Sequence, residues 1–353
     1  MDMVAGHAMT GSGSANFETN KRRVVDGLRA ITAADDESRL HRLRELFSAD
    51  ARLHLPHPIN EFDGPSALDD RFFCPLRDSF PDIERAEIVV LSGEHAGVET
   101  VSTIGHYVGT FEKDWLGIPA SYKVTQIRFG ETHQVTDGYI TQSYLLIDIL
   151  DVMRQAGVWL LPISLGAEGL WLPPADGSGV NLDRVDRERG AHSLKTSREM
   201  QESLLSFDGT SLASMQQERY WSQNFMWFGP CGIGTTRGLH GFQAHHQIPF
   251  LVAFPDRQGG KHFVRMGDGA FAVTGGWPSV VATHTGNHWL GLGATGKPVS
   301  MRVMDVYRVV GDKIVENWVP IDMIHILLQL GYDVFGRLAH LRGVPQKHLP
   351  WEE

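Results

Sequence analysis

GDKIVENWVPIDMIHILLQLG (residues 311–331) and DGYITQSYLLIDILDVMRQAG (residues 137–157) follow one plan. Each opens on a glycine-containing turn, runs through an alternating strand to an aspartate, and closes in a short helical run stopped by Gly331 or Gly157. The aspartates, Asp148 and Asp322, stand 174 residues apart, and the same offset relates many other positions. Phe80-Pro81-Asp82 returns as Phe254-Pro255-Asp256, Trp115-Leu116-Gly117 as Trp289-Leu290-Gly291, and Arg128 as Arg302. Pro56, Gly64 and Pro75 return as Pro230, Gly238 and Pro249. Between Gly93 and Trp115 the register slips by four residues, which matches His106 to His284. An offset held over so many positions marks a duplicated domain.

Each copy reads as helices followed by strands. Leu40, Leu43, Leu46 and Phe47 recur at helical spacing, and a second helix fits between Pro65 and Ser79. Ala51 to Pro56, Ile83 to Leu91, Gly97 to Tyr107, Tyr122 to Val135 and Tyr139 to Ile147 are β-rich runs divided by turn signals such as Ser92-Gly93 and Asp137-Gly138. The organisation expected is a Gly/Ser-rich leader (1–16), a first domain (17–158), a Pro/Gly-rich linker (159–195), a second domain (196–340) and a tail (341–353). Trp159 and Trp171 in the linker imply that it packs rather than dangles.

A chain of 353 residues suits two domains with real cores. Its 32 Lys plus Arg against 42 Asp plus Glu leave a net charge of −10, which argues against nucleic acid and anionic membranes as partners and for a small neutral or cationic ligand. Val158 to Pro173, the most apolar stretch, contains Glu168, two prolines and two glycines, so no membrane span is expected. The leader lacks the basic start and apolar middle of a signal peptide, and a cytoplasmic location follows by default. Cys74 and Cys231 fit no disulfide framework and read as buried free thiols.

The order helix, strand, helix, then four strands ending on aspartate and a Gln-Leu-Gly helix resembles the SnoaL-like polyketide cyclase branch of the nuclear transport factor 2-like superfamily. The residues that carry the resemblance are the two Phe-Pro-Asp motifs, GHYVG (105–109), THTG (283–286) and the two stretches quoted first. It implies a cone-shaped α+β barrel, used twice, with a curved mixed sheet covered by helices around an apolar pocket. Such domains often pair sheet to sheet, and the duplication supplies that pair within one chain, leaving any homo-oligomer open. The superfamily holds aldol-type cyclases, isomerases, epoxide hydrolases and pure binding modules, so fold alone does not settle function. In the cyclase branch the aspartate ending the last strand is the acid/base, a position that Asp148 and Asp322 match.

Strand alternation adds a pocket to this reading. Val299, Met301, Val303, Asp305 and Tyr307 share one side of a strand, as do Thr125, Ile127, Phe129, Glu131 and His133 in the first copy. Glu316, Trp318, Pro320 and Asp322 share a side of the last strand, as do Gln142, Tyr144, Leu146 and Asp148. The expectation is a carboxylate pair per copy, Glu131 with Asp148 and Asp305 with Asp322, joined by His106 or His284. Tyr144, Trp318, Trp227, Trp289 and Tyr307 would then wall the pockets. Neighbouring acids in an apolar site push their pKa values apart, so that one donates while the other serves as base. Asp148 and Asp322 also suit helix N-caps, and one residue can do both. A metal reading of His54/His57 or of His240/His245/His246 is set aside, because no cysteine joins either group. A loop with His57, Asn60, Glu61 and Asp63 suits a sugar or polyol.

The function expected is cofactor-free acid/base chemistry on a small, largely apolar carbonyl compound: aldol-type cyclisation, its lyase reverse, or isomerisation through an enolate. Asp148 and Asp322 would be bases, Asp305 and Glu131 their tuning partners, and His106 and His284 polarisers of the carbonyl oxygen. An epoxide-type hydrolase and a non-catalytic binding protein, either with two pockets or with one working pocket and a copy kept for structure, are the alternatives.

Overall fold

The computed structural model describes residues 16–343. Apart from Asn16, the expected leader lies outside the described residues, as does the tail beyond Gly343. The first copy begins with α1 (Phe17–Ala33), which buries Val24, Val25, Leu28 and Ile31 along one face, and α2 (Asp36–Leu46), capped by Asp35. Phe47, expected to end that helix, instead begins β1 (Phe47–His54). Then come β2 (Glu61–Asp63), α3 (Pro65–Leu68), a π-helical turn at 69–73, α4 (Cys74–Ser79), β3 (Glu84–His95), β4 (Val98–Thr110), β5 (Val124–Thr136), β6 (Tyr139–Ile147) and α5 (Ile149–Gln155).

The second copy begins with α6 (Arg187–Leu204), whose start lies inside the stretch expected as linker. Asp186 caps that helix, accepting from the Arg189 amide at 3.1 Å. In place of α2 the second copy has only short 3₁₀ turns at 212–215 and 217–219. It continues through β7 (Trp221–Phe228), β8 (Thr236–Arg237), α7 (Gly238–Phe242), a π-helical turn at 243–247, α8 (Ile248–Ala253), β9 (Gln258–Gly259), β10 (His262–Asp268), β11 (Phe271–Thr283), β12 (Pro298–Val310), β13 (Lys313–Trp318), α9 (Met323–Gln329) and α10 (Val334–Leu341).

The two sheets have the same topology. The first runs β2-β1-β6-β5-β4-β3 and the second β8-β7-β13-β12-β11-β10, with β9 added on β11. In each, one parallel pair, β1 with β6 or β7 with β13, sits among antiparallel neighbours. Helices cover the concave face of each sheet and enclose an apolar core. The other faces meet each other, burying Ile104, Leu146 and Trp171 against Phe228, Met304, Val306 and Trp318. The sheets approach closely at Gly130, where a Cβ would stand 2.5 Å from Pro320 Cγ, so only glycine fits. The chain is thus two tandem α+β cones paired sheet to sheet, an internal pseudo-dimer. Trp171 of the connecting segment packs into that seam and donates to the Gly229 carbonyl at 3.2 Å.

No helix among the described residues is long and apolar enough to cross a membrane. Cys231 is buried, whereas Cys74, expected to be buried, is only half-buried and accepts a hydrogen bond from Arg39 at 2.9 Å.

Candidate active site

The expected carboxylate pairs do not form, and a β-bulge in each hairpin is the reason. At the tip of the first hairpin Thr136 faces Tyr139 and Val135 faces Ile140; beyond the irregularity at Gln134/Val135, Glu131 faces Leu145 rather than Tyr144. The second hairpin slips the same way between Arg308 and Val309, so Val306 faces Trp318. One extra residue moves every later side chain to the other face. Asp148 and Asp322 therefore lie on the seam side of their sheets, while Glu131 and Asp305 point into the cones.

On the seam side the two aspartates are helix caps and reciprocal latches. Asp148 accepts from the Asp151 amide at 3.1 Å, from Arg128 at 2.7 Å and, across the seam, from the Cys231 amide at 2.8 Å. Asp322 accepts from the His325 amide at 3.1 Å, from Arg302 at 3.0 Å and, across the seam, from the His57 amide at 3.0 Å. His57 and Cys231 are themselves related by the 174-residue offset, so the contacts repeat about a pseudo-twofold axis. Burial pushes the Asp148 carboxyl up to about 6 against the pull of Arg128.

Other predicted residues also fall on the seam. Tyr144 stacks between His54 and Phe263, with ring centroids 4.4 and 3.9 Å away, and Trp318 is fully buried, donating to the Leu172 carbonyl at 2.9 Å. Both pack in the seam cluster rather than inside a cone. His106 faces Arg128 and packs edge-on to Trp171; burial, helped by Arg128, pushes it down to about 4. The match of His106 to His284 fails in three dimensions. His284 pairs with Lys297 and stacks near Phe254 and Trp289, as Phe111 pairs with Lys123 beside Phe80 and Trp115. Lys297 immediately precedes β12 and lies eight residues from Asp305, roughly 26 Å of extended chain, so His284 and Asp305 do not share a reacting atom. The His57 imidazole packs beside Phe335, 6.0 Å between centroids.

The two cones treat their inward acids differently. In the first, Arg85 forms a two-pronged ion pair with Glu131, reaches Glu87 at 2.6 Å and Tyr107 Oη at 2.9 Å, and lies over Phe129. Glu87 also holds Arg29 at 2.7 Å, and His133 approaches Glu131 at 3.2 Å. Burial alone would raise the Glu131 carboxyl, but Arg85 and then His133 hold it well below the usual range. This cone is filled by its own ion pairs.

In the second cone Asp305 stands at the place of Glu131, and Thr274 faces it as Thr103 faces Glu131. Arg85 has no counterpart. Arg85 faces Tyr107, which faces Ile127; in the second sheet Gly259 faces Val280, which faces Met301. Gly259 thus occupies the arginine's position, exposed and with open space around its missing side chain. The groups around Asp305 are neutral. Asn317 Nδ2 donates to it at 3.4 Å, and the Tyr307 hydroxyl lies beside it. Gln201 of α6 donates to Tyr307 Oη at 3.0 Å and to Thr274 at 2.8 Å, which leaves the phenol proton free to point at the carboxyl. Burial pushes Asp305 up to about 6, only partly opposed by Asn317 and Tyr307, and it raises Tyr307 too. Asp305 nevertheless keeps some accessible surface. Trp227, in register with Asn317, provides an aromatic wall, and the His246 ring lies flat against it at 4.1 Å.

The sequence reading thus placed Asp305, Tyr307, Trp227 and Trp289 in one cone but missed Gln201, Asn317, Thr274 and the contrast of Arg85 with Gly259. The 174-residue offset pairs residue 85 with residue 259, so that contrast was available as a signal. Among the described residues Asp151, Glu168 and Cys231 bring potential metal-ligand atoms within 4.8 Å of one another. Their chemistry fits a cation poorly: Arg154 binds Asp151 at 2.8 Å, Arg128 lies 3.6 Å from it, and burial raises the Cys231 thiol well above its ordinary value.

Comparison with known proteins gives three findings. The model of the SnoaL-like polyketide cyclase family matches residues 215–330. Among solved structures, a SnoaL-like protein from Jannaschia sp. CCS1 is 20% identical, with 40% of this chain and 95% of that one covered and a TM-score of 0.34. TsrD from Streptomyces laurentii is 17% identical (39% and 96% covered, TM-score 0.33), and an NTF2-like protein from Burkholderia thailandensis is 18% identical (39% and 96%, 0.31). No curated protein matches in sequence. The matched segment runs from β7 to α9 and contains Asp305, and the first copy repeats its sheet order; over these residues the chain is similar to the SnoaL-like polyketide cyclase family.

Proposed function

We propose that the second cone is a cofactor-free acid/base site acting on a small, largely apolar carbonyl compound, and that the first cone serves as its structural partner. The chemistry is that of an aldol-type cyclase, lyase or isomerase, whose common step is transfer of a proton to or from the carbon next to a carbonyl, removal in the cyclase and isomerase and return to the enolate in the lyase. Asp305 takes that proton. Asn317 and the Gln201–Tyr307 relay hold its carboxylate and, after transfer, keep the acid oriented for return. The observation that carries this reading is the exchange of Arg85 for Gly259, which leaves Asp305 with neutral partners and a pKa near 6. A carboxylate with that affinity for a proton is a far better base than one held by arginine, as Glu131 is. Asp148 and Asp322, committed to caps and seam contacts, take no part in proton transfer.

The test is hydrogen exchange at the carbon next to the carbonyl, followed by proton NMR in D2O over a panel of β-ketoesters and β-hydroxyketones. Exchange catalysed by wild type should fall at least about a hundredfold in Asp305→Asn, within the usual contribution of a general base. It should persist in Glu131→Gln protein that remains folded. Equal exchange by wild type and Asp305→Asn would overturn the reading.

A further inference from the structure

A cleft of about 470 Å³ opens beside the second cone, between the connecting segment at 162–165, the π-helical turn and α8, and the loop at 287–291. Two properties set it apart. No Asp, Glu, Lys or Arg lines it, although the chain carries a net charge of −10. Its lining includes the His246 ring, flat against Trp227, whose strand neighbour Asn317 donates to Asp305. The cleft is therefore joined to the candidate acid/base site through Trp227 and Asn317.

The state of His246 follows from its surroundings. Burial pushes it down to about 3, so it is neutral at ordinary pH. Its Nδ1 is sealed in the protein with no partner, whereas Nε2 is not among the sealed orphan atoms and has no protein partner among the described residues. A sealed N–H without an acceptor costs more than a sealed lone pair, so the single ring proton belongs on Nε2, on the open side. The cleft thus offers the His246 donor held in place by its stack on Trp227, with Ser164, His245, Asn287 and His288 as the other polar groups of a mostly apolar lining and no Lys or Arg to pair with an anion.

We infer that His246 selects the ligand of this cleft, donating Nε2–H to the hydroxyl or carbonyl oxygen of an uncharged, mostly apolar ring compound and rejecting its carboxylate analogue. The inference rests on the second cone being the ligand-bearing one, but it does not depend on Asp305 acting as a base. An anionic ligand would lose its hydration and find no Lys or Arg to pair with. An apolar ligand without oxygen would leave that donor unpaired.

The experiment is equilibrium dialysis of the full chain at pH 7 against 2-naphthol, naphthalene and 2-naphthoate. Wild type should bind 2-naphthol about fivefold or more tightly than naphthalene, the worth of one hydrogen bond, and 2-naphthoate at least about tenfold more weakly than 2-naphthol. His246→Phe, which keeps the stack on Trp227, should hold naphthalene as before and lose the preference for naphthol. Retained naphthalene binding shows that the variant is folded; His246→Gln, which keeps an N–H donor, should retain part of the preference. Naphthoate binding as tight as naphthol, a preference that survives His246→Phe, or no binding of any probe by wild type would overturn the inference. Asp305→Asn should keep the naphthol preference while losing proton exchange. A chain that shows the preference without exchange sinks the acid/base reading alone, and exchange without the preference sinks the cleft alone.

Discussion

Asp305→Asn and Glu131→Gln are the same chemical change at equivalent positions, yet they should move stability in opposite directions. Asp305 has a folded pKa of about 6 against an ordinary value of 3.8. Its proton is held more tightly in the folded chain than in the unfolded one, so its contribution to stability is full below about pH 4 and is lost as pH rises through 6. At 1.36 kcal/mol per pH unit, the ionised carboxylate costs the fold about 3 kcal/mol at pH 8, an order-of-magnitude figure. Asparagine keeps the shape and carries no charge, so Asp305→Asn should stabilise the protein at pH 8 by up to that amount and change little at pH 4. Glu131 is the reverse case, held by Arg85 with both side chains buried. Glutamine there leaves a buried guanidinium short of one anion, which costs about 3 kcal/mol, the lower end of the range for a broken buried pair because Glu87 remains at 2.6 Å. Urea unfolding at pH 8 and pH 4 reads both effects. Destabilisation by both variants at pH 8, or a pH-independent gain in Asp305→Asn, would refute the claim that the cones differ electrostatically.

Two further predictions concern the seam and the missing arginine. Asp148→Ala and Asp322→Ala each remove a cap, a buried partner of an arginine and a bond across the seam, and each should cost roughly 3–5 kcal/mol in urea unfolding. Proton exchange per folded molecule should survive in both, and its selective loss in either would restore that aspartate as a catalytic group. Gly259→Arg rebuilds in the second cone the position that Arg85 holds in the first, and open space surrounds the site of its Cβ. It should pair with Asp305, raise stability at pH 8 and suppress exchange; unchanged exchange would show that residue 259 does not command Asp305.

Much of the architecture was legible because it is written twice. The two Phe-Pro-Asp motifs, the two aspartates before short helices and the β-rich runs located the cones and their pairing, and Tyr139–Ile147 is the strand as expected. Residue 187 was legible only as linker because Gly190 and a polar helix surface hide the start of α6, which its Asp186 cap marks. The site failed for a physical reason: alternation fixes which residues of one strand share a face, while register decides which faces of two strands coincide. The bulges at Gln134/Val135 and Arg308/Val309 change that register without disturbing either strand's own pattern. Asp305 and Tyr307 were therefore found, but with the wrong partners. Gln201 was beyond reach because nothing local ties a helix residue to a strand that follows about a hundred residues later.

The most direct measurement is carbon-13 NMR of the aspartate side-chain carboxyls, titrated from pH 3 to 8 in wild type and in Asp305→Asn, and it requires no substrate. Asp148 also titrates near 6, so the informative signal is the one that disappears in the variant. The account predicts that the missing carboxyl titrates near pH 6. A missing carboxyl that titrates below about 4, the ordinary range for an aspartate, would contradict it.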